Sequence, residues 1–178
     1  MHTRIKVALL IAMVSVAAFA ATAIAAPGQQ QDELAEVRRA TARFHSIDAA
    51  TAAGYELGYV NGLGNRIITG CIANPMFGAM GYHDFNKALI DDLVIDPLKP
   101  EGLVYASAPN GGLKLVAVEY VVPGPNSVPP GVDTAPTVFG MPMHILLTPP
   151  GFYIHHAWVW GHNPAGIFAD WNPEVTCP

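Results

Sequence analysis

Five residues that can bind a metal or move a proton stand inside or beside apolar stretches of this sequence. His83 closes Ala79-Met80-Gly81-Tyr82-His83, and Glu119 interrupts the run from Leu115 to Val122. His155 and His156 stand side by side in Tyr153-Ile154-His155-His156-Ala157-Trp158, and His144 opens the apolar run before them. Glu119 is the most informative. Strand alternation puts it on one face with Leu113, Leu115, Ala117 and Val121. A carboxylate in that company is costly unless a cation, a metal or donated hydrogen bonds compensate its charge. Otherwise that face lies at a sheet edge, where Glu119 meets water or an arginine.

Adjacent strand residues point to opposite faces, so His155 and His156 cannot both enter one site. His156 shares its side with Ile154, Trp158 and Trp160, an aromatic wall that holds an imidazole in a dry setting. His155 shares its side with Tyr153, Ala157 and Val159. His83, Glu119 and His156 would together make a two-histidine, one-carboxylate metal set, with His144 and His155 as alternates. Such a set leaves coordination positions open and suits zinc hydrolysis or non-haem iron chemistry; His144 as a fourth ligand would close it or suit copper. Zinc held this way acidifies a bound water. The sequence contains no HExxH, CxxC, GxSxG or P-loop pattern, so only the fold can bring these separate segments together.

The elements that must position them follow from periodicity. From Asp32 to about Ala53, Leu34, Val37, Thr41 and Phe44 recur at helical steps, with Gly54 as the stop. His45 and Asp48 fall on or beside that apolar stripe. Residues 54–81 carry seven glycines and few charges, which predicts irregular loops with short extended pieces. Residues 86–93 allow one or two helical turns before Pro97 and Pro100. Leu103–Ala106 and Leu113–Val122 read as strands around the tight turn Asn110-Gly111-Gly112. Pro123 to Pro136 holds five prolines and is a long surface loop. Two further strands, Met143–Thr148 and Tyr153–Trp160, are joined by Pro149-Pro150-Gly151. One N-terminal helix packed on a small antiparallel, hairpin-rich sheet is an α+β fold, with a small open β-barrel as the alternative.

The beginning of the sequence reads as a secretory signal. Arg4 and Lys6 precede an uncharged apolar run from Val7 to Ala20, and Ala23-Ile24-Ala25 supplies a small-x-small cleavage site. The run is too short to anchor the chain stably in a bilayer. Cleavage after Ala25 leaves 26–178 as one globular domain, periplasmic or secreted. It would hold seven basic and fourteen acidic residues, a net charge of −7. That balance disfavours nucleic acid as a partner. The only two cysteines, Cys71 and Cys177, read as a disulfide in an exported chain. Closing a loop of about a hundred residues this way contributes up to ~4–5 kcal/mol in the chain-entropy model.

The stretches from Ala40 to Tyr55, Gly78-Ala79-Met80-Gly81-Tyr82-His83, Asp96 to Glu101, Val118-Glu119-Tyr120 and His156-Ala157-Trp158-Val159-Trp160 through Asn163–Pro173 bring a family into view. In them the chain resembles a widespread family of exported bacterial proteins. The resemblance implies a single exported domain, places His83, Glu119 and His156 in shared stretches, and carries no activity with it. His155 departs from the apolar residue the resemblance implies at that position, which favours His156.

Three functions fit these observations. The first is an exported protein with one divalent ion (zinc, iron or copper) at His83, Glu119 and His156, extending to a metalloenzyme acting on a small molecule. The second is a non-catalytic small-ligand module with Tyr82, Tyr120, Trp158 and Trp160 as pocket walls. The third is a structural or interaction domain whose buried polar groups satisfy one another.

Overall fold

Leu34, Val37 and Thr41 recur on one side of α1 (Pro27–Thr41), and all three are buried. The computed structural model describes residues 27–146 and 151–178; the expected signal over residues 1–25 and the Pro149-Pro150 turn lie outside them. The helix expected to run unbroken to Ala53 is interrupted. A 3-10 turn (Ala42–His45) follows α1, and Ser46 then takes an extended conformation. Its hydroxyl accepts the Ala49 N–H and caps a new helix, α2 (Ile47–Ala52). A serine that bonds the backbone three residues on competes with helix continuation. The restart turns the phase, so Phe44 and Ala50 point inward while His45 and Asp48, expected beside the apolar stripe, are exposed.

Eleven strands and a short helix follow: β1 (Tyr55–Leu57), β2 (Tyr59–Val60), β3 (Arg66–Ile67), β4 (Ile72–Asn74), β5 (Gly78–Asn86), α3 (Lys87–Asp91), β6 (Gly102–Ser107), β7 (Leu113–Pro123), β8 (Thr137–Val138), β9 (Met141–Pro142), β10 (His144–Ile145) and β11 (Phe152–Ala157). Seven of the strands make one antiparallel sheet in the order β1-β5-β6-β7-β11-β10, with β4 also on β5. The path does not close on itself among the described residues, so the fold is an open α+β sheet and not a barrel.

The largest departure from expectation is β5. Two glycines in its first four residues hide the strand signal, so its beginning reads as loop. Gly81 is required there: at φ +120° a Cβ would lie 2.4 Å from the Tyr105 carbonyl oxygen, and only glycine takes such a backbone without strain. Of the expected strand Met143–Thr148, the described residues form a strand over His144–Ile145, and Leu147 and Thr148 lie outside them. The expected Tyr153–Trp160 strand ends at Ala157, where Trp158 turns its N–H to the Ile167 carbonyl.

The helices cover one face of the sheet. Leu34, Val37 and Phe44 pack there on Leu103, Tyr105, Leu115, Val118 and Tyr120. The opposite face carries two smaller clusters, one around Ala79, Val104, Ala117 and Trp158, the other around Tyr59, Phe85, Val121, Phe152 and Ile154. A bulge decides which β7 residues go where. Val104 pairs with Ala117 but Tyr105 with Leu115, so Val116 is skipped. Leu115, expected beside Glu119, therefore joins the helix-covered face, while Ala117 and Val121 flank Glu119 on the other.

A second buried carboxylate sits at the start of β6. Glu101 is 1% exposed; its Oε2 accepts the Val121 N–H and its Oε1 has no partner. Burial pushes its pKa up from 4.5 to about 8, against the pull of the Val121 N–H. A group that is neutral when folded and ionised when unfolded stabilises fully below the unfolded pKa, and that contribution is lost as pH rises toward the folded one. Denaturant unfolding between about pH 5 and 8 should cost the wild type on the order of 1–3 kcal/mol more than Glu101→Gln. Equal losses in the two proteins would show that Glu101 is ionised in the fold.

Candidate metal centre

Three strands of the sheet each present one metal-capable side chain. His83 comes from β5, Glu119 from β7 and His156 from β11, and the β7–β11 register sets Glu119 directly opposite His156. Gly102 on β6 pairs with Glu119 from the other side. A Cβ on Gly102 would lie 3.1 Å from the Glu119 Cβ and from the Phe85 ring, so the glycine leaves room for both. The three side chains are almost completely buried, at 2%, 4% and 0% exposure.

The geometry is compact. The His83 and His156 Nε2 atoms lie 3.4 Å apart. Glu119 spans the pair, with Oε2 at 3.6 Å from His83 Nε2 and Oε1 at 3.6 Å from His156 Nε2. One ligand atom from each residue falls within 4.8 Å of the others, so this buried group could hold a metal ion. At bond lengths of about 2.0–2.2 Å, donors around a tetrahedral ion stand about 3.3–3.6 Å apart, and adjacent octahedral donors about 2.8–3.1 Å. The 3.4 Å between the two nitrogens falls in the tetrahedral range, and each nitrogen has its own Glu119 oxygen at 3.6 Å.

The electrostatics point the same way. Burial pushes the Glu119 carboxyl up to about 7, with His156 opposing and Asp170 adding to the rise. Burial also drives the His83 imidazole down to about 3, helped by the charge of His156. His83 is therefore neutral, with a ring lone pair available for coordination. Burial acts downward on His156 too, but Glu119 and Asp170 outweigh it and its pKa is raised. The rise favours the protonated ring beside Glu119 and Asp170, a role that a bound cation would take over.

Two polar atoms remain unsatisfied. Glu119 Oε2 and His83 Nδ1 are buried without a hydrogen-bond partner. The Gly81 backbone favours the protonated His83 ring, yet the contact falls outside ordinary hydrogen-bond limits. A buried carboxylate oxygen without a partner is costly, and coordination would satisfy Glu119 Oε2.

Asp170 completes the arrangement, and the sequence reading did not single it out. Its Oδ1 lies 3.2 Å from His156 Nδ1, so the carboxylate orients the ring and leaves Nε2 facing Glu119. Carboxylates behind ligating histidines do this in metal sites generally. The available signal was its isolation, as the one charged residue in the apolar stretch Asn163–Pro173.

The alternates do not converge. His144 is half exposed and bonds the far oxygen of Asp170, at 3.0 Å, so it stands behind that carboxylate and outside the ligand group. His155 points to the helix-covered face, between Phe139 and Phe168, with Nε2 unpartnered. Burial lowers its pKa to about 4, aided by His156 and His144. The four aromatic residues expected to line one pocket are also dispersed. Tyr120 is buried under the helices with its hydroxyl donating to the Pro97 carbonyl, and half-buried Tyr82 and Trp160 pack at the margin of the same cluster. Trp158 sits in the cluster on the other face. Trp158 and Trp160 do line a cavity of about 330 Å³ together with Arg38, without the tyrosines.

Cys71 and Cys177 are disulfide-bonded, with 5.6 Å between their Cα atoms. No helix among the described residues is long and apolar enough to cross a membrane. No protein-family model, curated protein or solved structure matches the chain.

The two adjacent histidines should separate cleanly on substitution. His155→Phe removes an unpartnered buried nitrogen from an aromatic sandwich, so unfolding free energy should rise by about 1 kcal/mol with metal uptake unchanged. His156→Phe should lose uptake. Denaturant melts and elemental analysis of both variants check this, and a metal-free His155→Phe protein would overturn the assignment.

Proposed function

We propose that this chain is an exported metal-binding protein that holds one divalent ion, zinc by preference, between His83, Glu119 and His156. The observation that carries the reading is the buried carboxylate bridging two imidazole nitrogens at 3.6 Å each, with the nitrogens 3.4 Å apart. Two imidazole nitrogens and a carboxylate suit zinc, which has no geometric preference of its own to satisfy. Export is supported by the signal-like first 25 residues and by the disulfide, which persists in oxidising compartments.

Burial favours a retained ion over turnover of a substrate. Among the described residues, cavities of about 170 to 330 Å³ open beside Tyr59, Val116, Trp160 and Phe85, and His83, Glu119 and His156 line none of these. An ion bound to the folded state alone stabilises it by about 2.7 kcal/mol at a hundredfold excess over its dissociation constant.

Protein dialysed against zinc and then washed should retain one equivalent by elemental analysis. His83→Ala and Glu119→Ala should each lower affinity by at least about a hundredfold, since each removes one of three protein ligands. Cobalt in the same site should give the intense visible absorption of a four-coordinate ion. Substoichiometric metal, unchanged by either substitution, would falsify the reading.

A further inference from the structure

Residues 163–178 cross the flank of the metal centre, and the inference drawn from them rests on that centre and concerns its regulation. The segment touches the neighbourhood of all three ligands. Asp170 bonds His156 itself. Two residues beyond that ligand, the Trp158 indole donates to the Ala169 carbonyl at 2.6 Å. Asn172 and Ala79 exchange both backbone hydrogen bonds at 3.1 Å, on the strand that carries His83. Val175 is buried at 8% against the cluster that contains Ala117, two residues before Glu119.

The segment contains no helix or strand of its own, only the single bridge at Asn172. Its backbone is held by those two hydrogen bonds, by the one from the Trp158 N–H to Ile167 and by the Trp158 indole on the Ala169 carbonyl. Segments with few ladder bonds open locally at low free-energy cost unless something else holds them. Here Cys177 is bonded to Cys71, which immediately precedes β4, and β4 pairs with β5 beside His83. Both cysteines are partly exposed, within reach of a small reductant.

We propose that residues 163–178 are a strap over the metal centre and that the Cys71–Cys177 disulfide is its latch. Intact, the latch keeps Asp170 on His156 and the ion enclosed. A dithiol opens it by ordinary exchange. One thiolate attacks a cysteine sulfur, the other cysteine leaves as a thiolate, and the second thiol resolves the mixed disulfide. The dithiol becomes a cyclic disulfide, and Cys71 and Cys177 each gain a proton. The strap then lifts on its weak backbone contacts, taking Asp170 with it, and the ion exchanges with solvent.

The test compares zinc extraction by an excess of a chromogenic chelator from disulfide-intact protein and from protein reduced with a phosphine. Reduction should speed extraction at least tenfold, with the near-ultraviolet circular dichroism of the tryptophans retained. Cys71→Ser/Cys177→Ser should exchange at the fast rate without reductant. Amide hydrogen exchange at Asn172 and Val175 should rise on reduction while β7 stays protected. Equal extraction rates with zinc bound would overturn the latch and leave the metal centre standing. Absence of zinc from the intact protein would remove both. Collapse of the near-ultraviolet signal on reduction would overturn the strap in favour of global unfolding.

Discussion

The burial of the Glu119 carboxylate in β7 is the constraint to which the surrounding structure answers. At 4% exposure, between Ala117 and Val121, it is shut off from bulk solvent and pairs with no arginine among the described residues. What it meets is two imidazoles, delivered by β5 and β11 across a sheet whose register leaves little freedom. Glu119 and His156 stand directly opposite one another, a position fixed by the strand pairing from Phe152 to Ala157. His83 reaches from the far side of β6.

The bulge at Val116 matters for the same reason. Without it, Leu115 would share the face of Glu119. With it, the large side chains Leu115, Val118 and Tyr120 go to the helices, and small Ala117 lies beside the carboxylate. The helix-covered face thus carries most of the core, while the opposite face is thin enough for polar groups and is closed by Asp170, Asn172 and Val175 from one irregular segment. One disulfide joins that segment to the β4–β5 side of the sheet. The larger core cluster and the group that could hold a metal ion lie on opposite sides of the same strands.

Asp170 shows how polar groups are layered around His156. The ring has carboxylates on both nitrogens, Glu119 at Nε2 and Asp170 at Nδ1, and Asp170 is itself held by His144 at the surface. His83 has no such partner on Nδ1. The two imidazoles therefore differ in basicity, one raised and one lowered in pKa, although both are buried.

Much of this was written locally. A lone acid in a β-branched run marked Glu119, alternation separated His156 from His155, and two cysteines in a chain with a signal-like start implied their bond. The interrupted helix, the glycine-hidden strand β5, the bulge at Val116 and the role of Asp170 were not legible. Each depends on a partner distant in sequence or on a backbone bond that periodicity does not register: Ser46 on Ala49, Gly81 on the Tyr105 carbonyl, Leu115 on Tyr105, Asp170 on His156. Side-chain chemistry and spacing by themselves determined which residues needed a counter-charge. Which groups supplied it was decided by strand register and loop path, because those alone set the distances over which charges act.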